Sequence, residues 1–240
     1  MPISGIGQKI MIAADVTIGH RVQITGRRNN LFIDTGTTVG DHVWLNISSP
    51  DNIETCMKIG RCVLIGRQSM LSTGGYFEIG DFCLFAPRVY VSDLDHIFSD
   101  PNQPIMQQGA TFGRSVIIEE NCWLGINAVV TGNVTVGRGS VVGANTTVLK
   151  DVPPFSVVAG NPAKIIKMYN AETNSWERIR HDEEIQRVLY ANNQFGLPNR
   201  EEYRAILTKN AQISKIDPSS AGPKLSVVSL LKKLYSWVID

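Results

Sequence analysis

A six-residue rhythm limits what this chain can fold into more than any other feature of its sequence. From Phe112 to Pro153 a large apolar residue recurs at every sixth position: Phe112, Ile118, Leu124, Val130, Val136, Val142 and Val148. Four residues after each stands a small or β-branched residue: Val116, Cys122, Ala128, Val134, Ser140, Thr146 and Val152. Glycine follows the apolar residue directly at Gly113, Gly125, Gly137 and Gly143. A period of six fits neither a lone helix, at about 3.6 residues per turn, nor a strand, at about 2. It fits a hexapeptide β-helix, in which short strands meet at corners and each coil stacks on the next. The large and the small apolar residue then fill the interior, and glycine serves the corner because it tolerates unusual backbone angles.

The rhythm begins earlier and less perfectly. Ile18-Gly19 with Val22, Ile33 with Thr37, Val39-Gly40 with Val43, Ile59-Gly60 with Val63, Ile65-Gly66 with Ser69, Ile79-Gly80 with Cys83, and Phe85-Ala86 with Val89 keep the pattern. Breaks fall at Arg27–Asn30 and at Asn46–Met57, the latter around the turn-forming Ser48-Ser49-Pro50-Asp51. The longest break is 92–111, SDLDHIFSDPNQPIMQQGAT, an acidic, turn-rich excursion that holds His96 between Asp93 and Asp95 on one side and the loop tip on the other. A loop of this length in a regular solenoid is usually functional or mobile. After Pro153-Pro154, the segment 155–166 closes the repeat. Helical patterns then follow at 174–192, with Asn174 or Ser175 as cap, at 200–213, and at 225–238. The expected division is a β-helix domain over 1–166 and a helical extension over 167–240.

The bulk numbers exclude little else. The chain has 240 residues, 43% hydrophobic and 19% charged, with a formal net charge of +1, which gives no support for a broad nucleic-acid surface. The beginning of the chain lacks a signal-peptide layout, and no window reaches the roughly 18 apolar residues of a membrane span. The four cysteines form no CxxC pair, and Cys83 and Cys122 take small interior positions of their hexads. A reducing, cytoplasmic setting without disulfides or a cysteine-rich metal site is expected. The 224–238 segment sets lysines beside Leu230, Leu231, Leu234 and Trp237. It reads as a helix packed on protein or, more weakly, as a membrane-surface contact.

Taken together, several motifs resemble the left-handed β-helix acyltransferases, in particular the galactoside, maltose and capsule-sugar O-acetyltransferases. They are Ala86-Pro87 ten residues before a loop histidine, Cys122-Trp123-Leu124-Gly125, Val142-Gly143-Ala144, Lys150-Asp151-Val152-Pro153-Pro154 and Ala159-Gly160-Asn161-Pro162-Ala163-Lys164. The resemblance covers residues 59 to 167 and implies an all-β fold, a left-handed parallel β-helix followed by a C-terminal α-helical extension. It implies a homotrimer with active sites in the clefts between copies, acetyl-CoA as co-substrate, a saccharide acceptor and no metal. His96 matches the loop histidine that acts as base. Trp123 matches a tryptophan lining the thioester region, and Ala144 a position whose backbone meets the pantetheine arm. Leu149, Lys150, Lys164 and Lys167 match positions along the pantetheine and nucleotide. The coils before Ile79 do not align with the family's acceptor-binding hexads, so no acceptor-binding residue carries over.

The chemistry asks for the same groups. A hydroxyl must lose its proton as it attacks a thioester, and imidazole suits that task. Asp93 or Asp95 could fix the imidazole tautomer. A backbone N–H at the corner Trp123–Ile126, which includes Gly125, could stabilise the oxyanion. Lysines at 150, 164 and 167 suit phosphates. No cysteine has a histidine near it in sequence and no GxSxG elbow occurs, so direct transfer is expected rather than an acetyl-enzyme. Three alternatives stay open at this point: an amino-sugar N-acetyltransferase, a zinc hydratase on the same scaffold, and a non-catalytic trimeric scaffold. The zinc reading lacks closely spaced paired histidines.

Overall fold

The computed structural model describes residues 9–26, 29–48, 50 and 52–213. Among these, short strands fall into three sheets that the chain visits in rotation. The first sheet gathers Lys9–Ile12, Asn29–Ile33, Thr55–Ile59, Tyr76–Ile79, Ser115–Ile118 and Val134–Val136. The second begins Thr17–Ile18, Thr38–Val39, Leu64–Ile65, Leu84–Phe85, Trp123–Leu124, Val141–Val142 and Ser156–Ala159. The third holds Gln23–Thr25, Trp44–Ile47, Met70–Thr73, Tyr90–Ser92, Val129–Thr131 and Thr147–Val148. All pairings among these strands are parallel and in register, for example Leu84↔Trp123↔Val141. The expected parallel β-helix is therefore present, as a three-sided prism.

The interior follows the hexads. Val116, Ile118, Cys122, Leu124, Ala128, Val130, Val134, Val136, Val142 and Val148 are buried in one continuous core, and Ser140 and Thr146 are buried with them. Phe112 departs from the expectation. It is only half-buried and belongs to the returning arm of the 92–111 excursion, so the regular run starts at Val116 and Ile118. Cys83 and Cys122 fill interior positions as free thiols, the Cys122 amide donating to Cys83 Sγ at 3.4 Å. Burial, with the adjacent Cys122 thiol, pushes the Cys83 thiol well above its ordinary range, which makes it a poor nucleophile.

Glycine serves the corners for a different reason from the one expected. The left-handed backbone falls two residues after the corner glycine, at His42, Gln68, Asn127 and Asn145, with φ of 58, 60, 58 and 55°. What the glycine supplies is clearance between coils: a methyl on Gly66 would lie 2.4 Å from the Ala86 carbonyl carbon and 2.5 Å from the Pro87 nitrogen.

Excursions cluster at one edge of the prism. The breaks at 26–28, 48–54 and 93–114 all lie between a third-sheet strand and the next first-sheet strand. Where no loop is inserted, two residues make the same passage: Gly74-Gly75 and Gly132-Asn133.

Beyond Ala159 the second sheet changes direction. Lys164–Asn170 pairs antiparallel with Ser156–Ala159, and Ser175–Arg178 pairs antiparallel with Lys164–Asn170. The expected boundary at 166/167 thus falls inside a strand. The expected helix at 174–192 is shorter and later, Asp182–Phe195. Its first residues are taken by the strand Ser175–Arg178, because Trp176 and Arg178 alternate with Glu177 and fit the sheet. Glu184 caps the helix start by accepting the Arg180 and His181 amides at 2.5 and 3.1 Å. Met168, Ile179 and Val188 form a small second core under the hairpin. A further helix spans Arg200–Ile213, matching the second expected helix. The third, 225–238, and with it the membrane-surface reading of 224–238, lies outside the described residues. No helix among the described residues is long and apolar enough to cross a membrane.

Arg200, at the end of the first compact unit, is held by two carboxylates of that unit. Its guanidinium reaches Glu78 at 2.6 Å and Glu120 at 2.9 Å. Burial alone would lower the guanidinium pKa; the hydrogen bonds it donates to Glu120 and Glu78 outweigh it and raise the value.

Candidate active site

The long excursion is a built structure rather than a slack loop. It leaves after Ser92, and its two arms pair: Ile97 N–H donates to Gly109 O at 3.0 Å, Thr111 N–H to Asp95 O at 2.8 Å, and His96 bridges Ala110 in antiparallel fashion. Gln108 closes the tip by donating to the Asp100 and Gln103 carbonyls at 2.9 and 2.8 Å. The base of the loop clamps onto the preceding coil. Gly113 N–H donates to Gly74 O at 3.1 Å, and Leu94 and Phe112 press so closely over Gly74 that a methyl there would meet them at 2.3 and 2.7 Å. His96 is held by this ladder with its side chain exposed.

The two expected orienting carboxylates are engaged elsewhere. Asp93 is buried and accepts the Thr73 hydroxyl and the Gly74 amide, both at 2.7 Å. Asp95 is exposed and pairs with Arg114 at 2.7 Å. Among the described residues neither is hydrogen-bonded to His96. The reason is local: Asp93 follows the core strand Tyr90–Ser92 directly, so its side chain turns to the corner, whereas Asp95 faces the returning arm.

Burial holds the Asp93 carboxyl above its ordinary range, against the opposing pull of the Gly74 amide and the Thr73 hydroxyl. The sign follows. An unfolded chain ionises this group first as pH rises, so its contribution to stability is greatest at low pH and declines as pH passes through the raised folded value. Asp93→Asn, which cannot ionise, is expected to flatten that decline in thermal unfolding measured between pH 4 and 8. Asp93→Ala is expected to cost about 2 kcal/mol, because it leaves two buried donors without their acceptor.

Of the residues expected at the cofactor, Trp123 stands on the opposite side of the prism from His96. His96 leaves from the edge between the third and first sheets, and Trp123 stands on the second sheet, the face across from that edge. Trp123 is half-buried on the outer surface between Leu84 and Val141. Its amide and that of Gly125 donate into the ladder, to Ser140 O at 3.0 Å and Val142 O at 2.8 Å. The next corner residue, Ile126, accepts the Asn145 amide at 2.9 Å. Gly125 sits directly on the Ala144 backbone, where a methyl would come within 2.6 Å of the Ala144 nitrogen. Ala144, Leu149, Lys150 and Lys164 are exposed, and Lys167 is half-buried on the hairpin. The structure thus gathers Trp123, Gly125, Ile126 and Ala144 on adjoining corners. It sets Lys164 and Lys167 farther along the same sheet, and leaves Leu149 and Lys150 after the third-sheet strand Thr147–Val148. Among the described residues no three His, Cys, Asp or Glu side chains gather as a metal-ligand set.

Comparison with known proteins gives the same frame. The bacterial transferase hexapeptide family (six repeats) matches residues 115–150. A Mycobacterium tuberculosis protein named as an acetyltransferase is 34% identical over 137 residues, covering 56% of this chain and 44% of the relative. An Escherichia coli protein named for O-acetyl transfer in lipopolysaccharide biosynthesis is 39% identical over 107 residues, covering 42% and 54%. The galactoside O-acetyltransferase of Escherichia coli is 29% identical over 144 residues, covering 60% and 70%. The chain spans about half the length of the first two of these relatives. Among solved structures, AntD, an N-acyltransferase from Bacillus cereus determined with dTDP and coenzyme A, aligns with a TM-score of 0.47 at 21% identity, over 71% of this chain and 88% of that one. With its buried hexad columns, its three parallel sheets and the repeat matched over residues 115–150, the chain has the left-handed parallel β-helix fold and resembles the bacterial hexapeptide transferases along that stretch.

Proposed function

We propose that this protein is an acetyl-CoA-dependent O-acetyltransferase whose acceptor is a sugar hydroxyl of a surface polysaccharide, an oligosaccharide or a precursor. It acts as a homotrimer with sites shared between copies, in the reducing setting of the cytoplasm. The observation that carries this reading is the placement of the candidates. An exposed imidazole is fixed on a laced excursion at one edge of the prism, and the Trp123 row lies on the face across from it. Such a division suits a cleft to which one copy contributes the loop and the next contributes the row. The galactoside and lipopolysaccharide names of the relatives support a saccharide acceptor.

The reaction then runs in one ternary complex. His96 takes the proton of the acceptor hydroxyl as its oxygen attacks the thioester carbonyl carbon. The tetrahedral oxyanion is met by the amide of Ile126, since those of Trp123 and Gly125 are committed to the ladder. Collapse breaks the C–S bond and leaves an acetyl ester. The imidazolium returns its proton to the departing CoA thiolate. The buried, acid-weakened Cys83 supports direct transfer over an acetyl-enzyme.

The test is free-thiol release from acetyl-CoA by the purified chain, with hydroxyl-only saccharides and amino sugars offered in parallel. Turnover with the former is expected. Turnover with amino sugars alone would replace ester formation by amide formation, and failure to bind acetyl-CoA would remove the enzymatic reading.

A further inference from the structure

The corner that leads from the second sheet to the third is built alike in successive coils. Two residues make the outer turn in each: His20-Arg21, Asp41-His42, Arg67-Gln68, Pro87-Arg88, Ile126-Asn127 and Ala144-Asn145. Backbone bonds stitch each turn to the one before. The amides of His42, Gln68, Arg88, Asn127 and Asn145 donate to the carbonyls of His20, Asp41, Arg67, Pro87 and Ile126 at 2.8, 2.8, 3.0, 3.3 and 2.9 Å. The turns form one continuous seam, and Ile126 stands on it.

The seam changes character along its length. Its later turns hold Ile126, Asn127, Ala144 and Asn145; its earlier turns hold Arg21, Arg67 and Arg88, all exposed. Asp41 is the one carboxylate of these turns, and its Oδ1 accepts the His20 amide at 2.7 Å. The flanking outward rows, Leu64 and Leu84 on one side and Met70 and Tyr90 on the other, add no acid. A chain of net charge +1 thus gathers cations along one line.

Folding does not ask for these arginines. The second turn residue is left-handed throughout, with φ of 53° at Arg21, 60° at Arg88, 58° at Asn127 and 55° at Asn145. Among residues with a side chain, asparagine accepts that backbone most readily, and Arg88 takes it at a cost. Arg88 Nε donates to Asn127 Oδ1 at 2.8 Å, yet Asn127 makes the same kind of link to Asn145 at 2.9 Å without a charge. Among the described residues no carboxylate forms an ion pair with Arg21, Arg67 or Arg88, and the terminal nitrogens of Arg88 meet no acceptor. Strained, charged residues without a folding role point to a ligand.

We propose that this seam recognises an oxyanion carried by the acceptor, a sugar carboxylate or a phosphate, through Arg88 and Arg67. The assignment rests on the function proposed above and narrows its acceptor to an acidic one. The seam supplies the direction. In that reaction the cofactor leaves Ile126 toward Ala144, Lys164 and Lys167, so the coils before Ile126 fall to the acceptor. Arg88 lies one coil from Ile126 and Arg67 two, about 5 and 10 Å at about 4.8 Å per step. An acceptor with its hydroxyl at Ile126 sets a charge farther along the same molecule against the two guanidinium forks, which suit carboxylate and phosphate oxygens alike. A neutral acceptor would leave both cations unused.

The test titrates three probes calorimetrically into the full chain: an oligogalacturonate, a neutral galactose oligosaccharide of the same length, and UDP-galactose. Arg88→Asn removes the charge and keeps a residue that the next two coils carry at the same place; Arg67→Gln removes the charge and keeps much of the length. Each is expected to weaken the anionic probe about tenfold, with acetyl-CoA affinity unchanged, and Arg88→Lys is expected to recover part of the loss. A response confined to the oligogalacturonate supports the seam with carboxylate as its ligand, and one confined to UDP-galactose supports it with phosphate. Anionic probes that bind no better than the neutral one, or that ignore both substitutions, overturn it even if acetyl transfer to neutral saccharides persists. A fall in acetyl-CoA affinity in both variants also overturns it, because the arginines would then serve the cofactor. Arginine-dependent binding of an anionic probe without any acetyl transfer supports the seam and counts against the proposed function, so the two readings fail separately.

Discussion

His96→Ala is expected to lower acetyl transfer by about 10²–10⁴-fold, the usual worth of a positioned general base, with thermal stability within about 0.5 kcal/mol of the parent. The two halves of that result come from separate features. The imidazole is exposed, so its removal uncovers no core. The loop is held by backbone pairing at Ile97, Thr111 and Ala110 and by Asp93 at its base, none of which needs the ring. A variant that keeps its fold and loses turnover places the ring at the chemistry. Turnover at the parent rate in His96→Ala would remove it from the mechanism, and the excursion would then need another role.

Gly66→Ala is expected to be severely damaging to the solenoid, at about 3 kcal/mol or more, the upper range for forcing an extra carbon into a packed site. The new methyl would sit 2.4–2.6 Å from three atoms of Ala86 and Pro87, all in the backbone connection. Backbone cannot rotate aside as a side chain can, so the two coils must separate or the corner must open. Gly143→Ala provides the internal control. Its methyl meets only the Thr146 hydroxyl and the Val158 carbonyl at 3.3 Å and Ala159 Cβ at 3.4 Å, so the expected cost is about 1 kcal/mol. Chemical denaturation of both variants checks the contrast. Equal losses would mean that clearance between coils does not govern these positions.

Much of the solenoid was legible because its interior is periodic. A residue such as Leu124 or Val130 faces the same environment in every coil, so the sequence repeats what the geometry repeats. The corners were half legible. Gly66 and Gly125 marked them, but their purpose is close approach, and the left-handed residue comes two positions later, signalled only where it is Asn127 or Asn145. The closing hairpin was not legible. Ser175–Arg178 alternates over only four residues and runs straight into a helical pattern, and its strand character comes from pairing with Lys164–Asn170, which sequence spacing does not report. The surroundings of the candidate site were legible only in part. His96 stood out through its loop, whereas the partners of Asp93 and Asp95 are Thr73, Gly74 and Arg114, on a neighbouring coil or the returning arm. Arg67 and Arg88 carried no motif at all and gain interest only from the seam they share.

The placement of every excursion along a single edge has a wider consequence. Register in the three sheets is fixed by coil-to-coil pairing, and the passage at that edge works equally with two residues or with more than twenty. Length can be added or removed there without moving any interior side chain, at an entropic cost that grows only slowly. Frame and appendage are therefore free to vary independently, so that a lineage of such chains can rewrite what projects from the ridge while the stack beneath it stays the same.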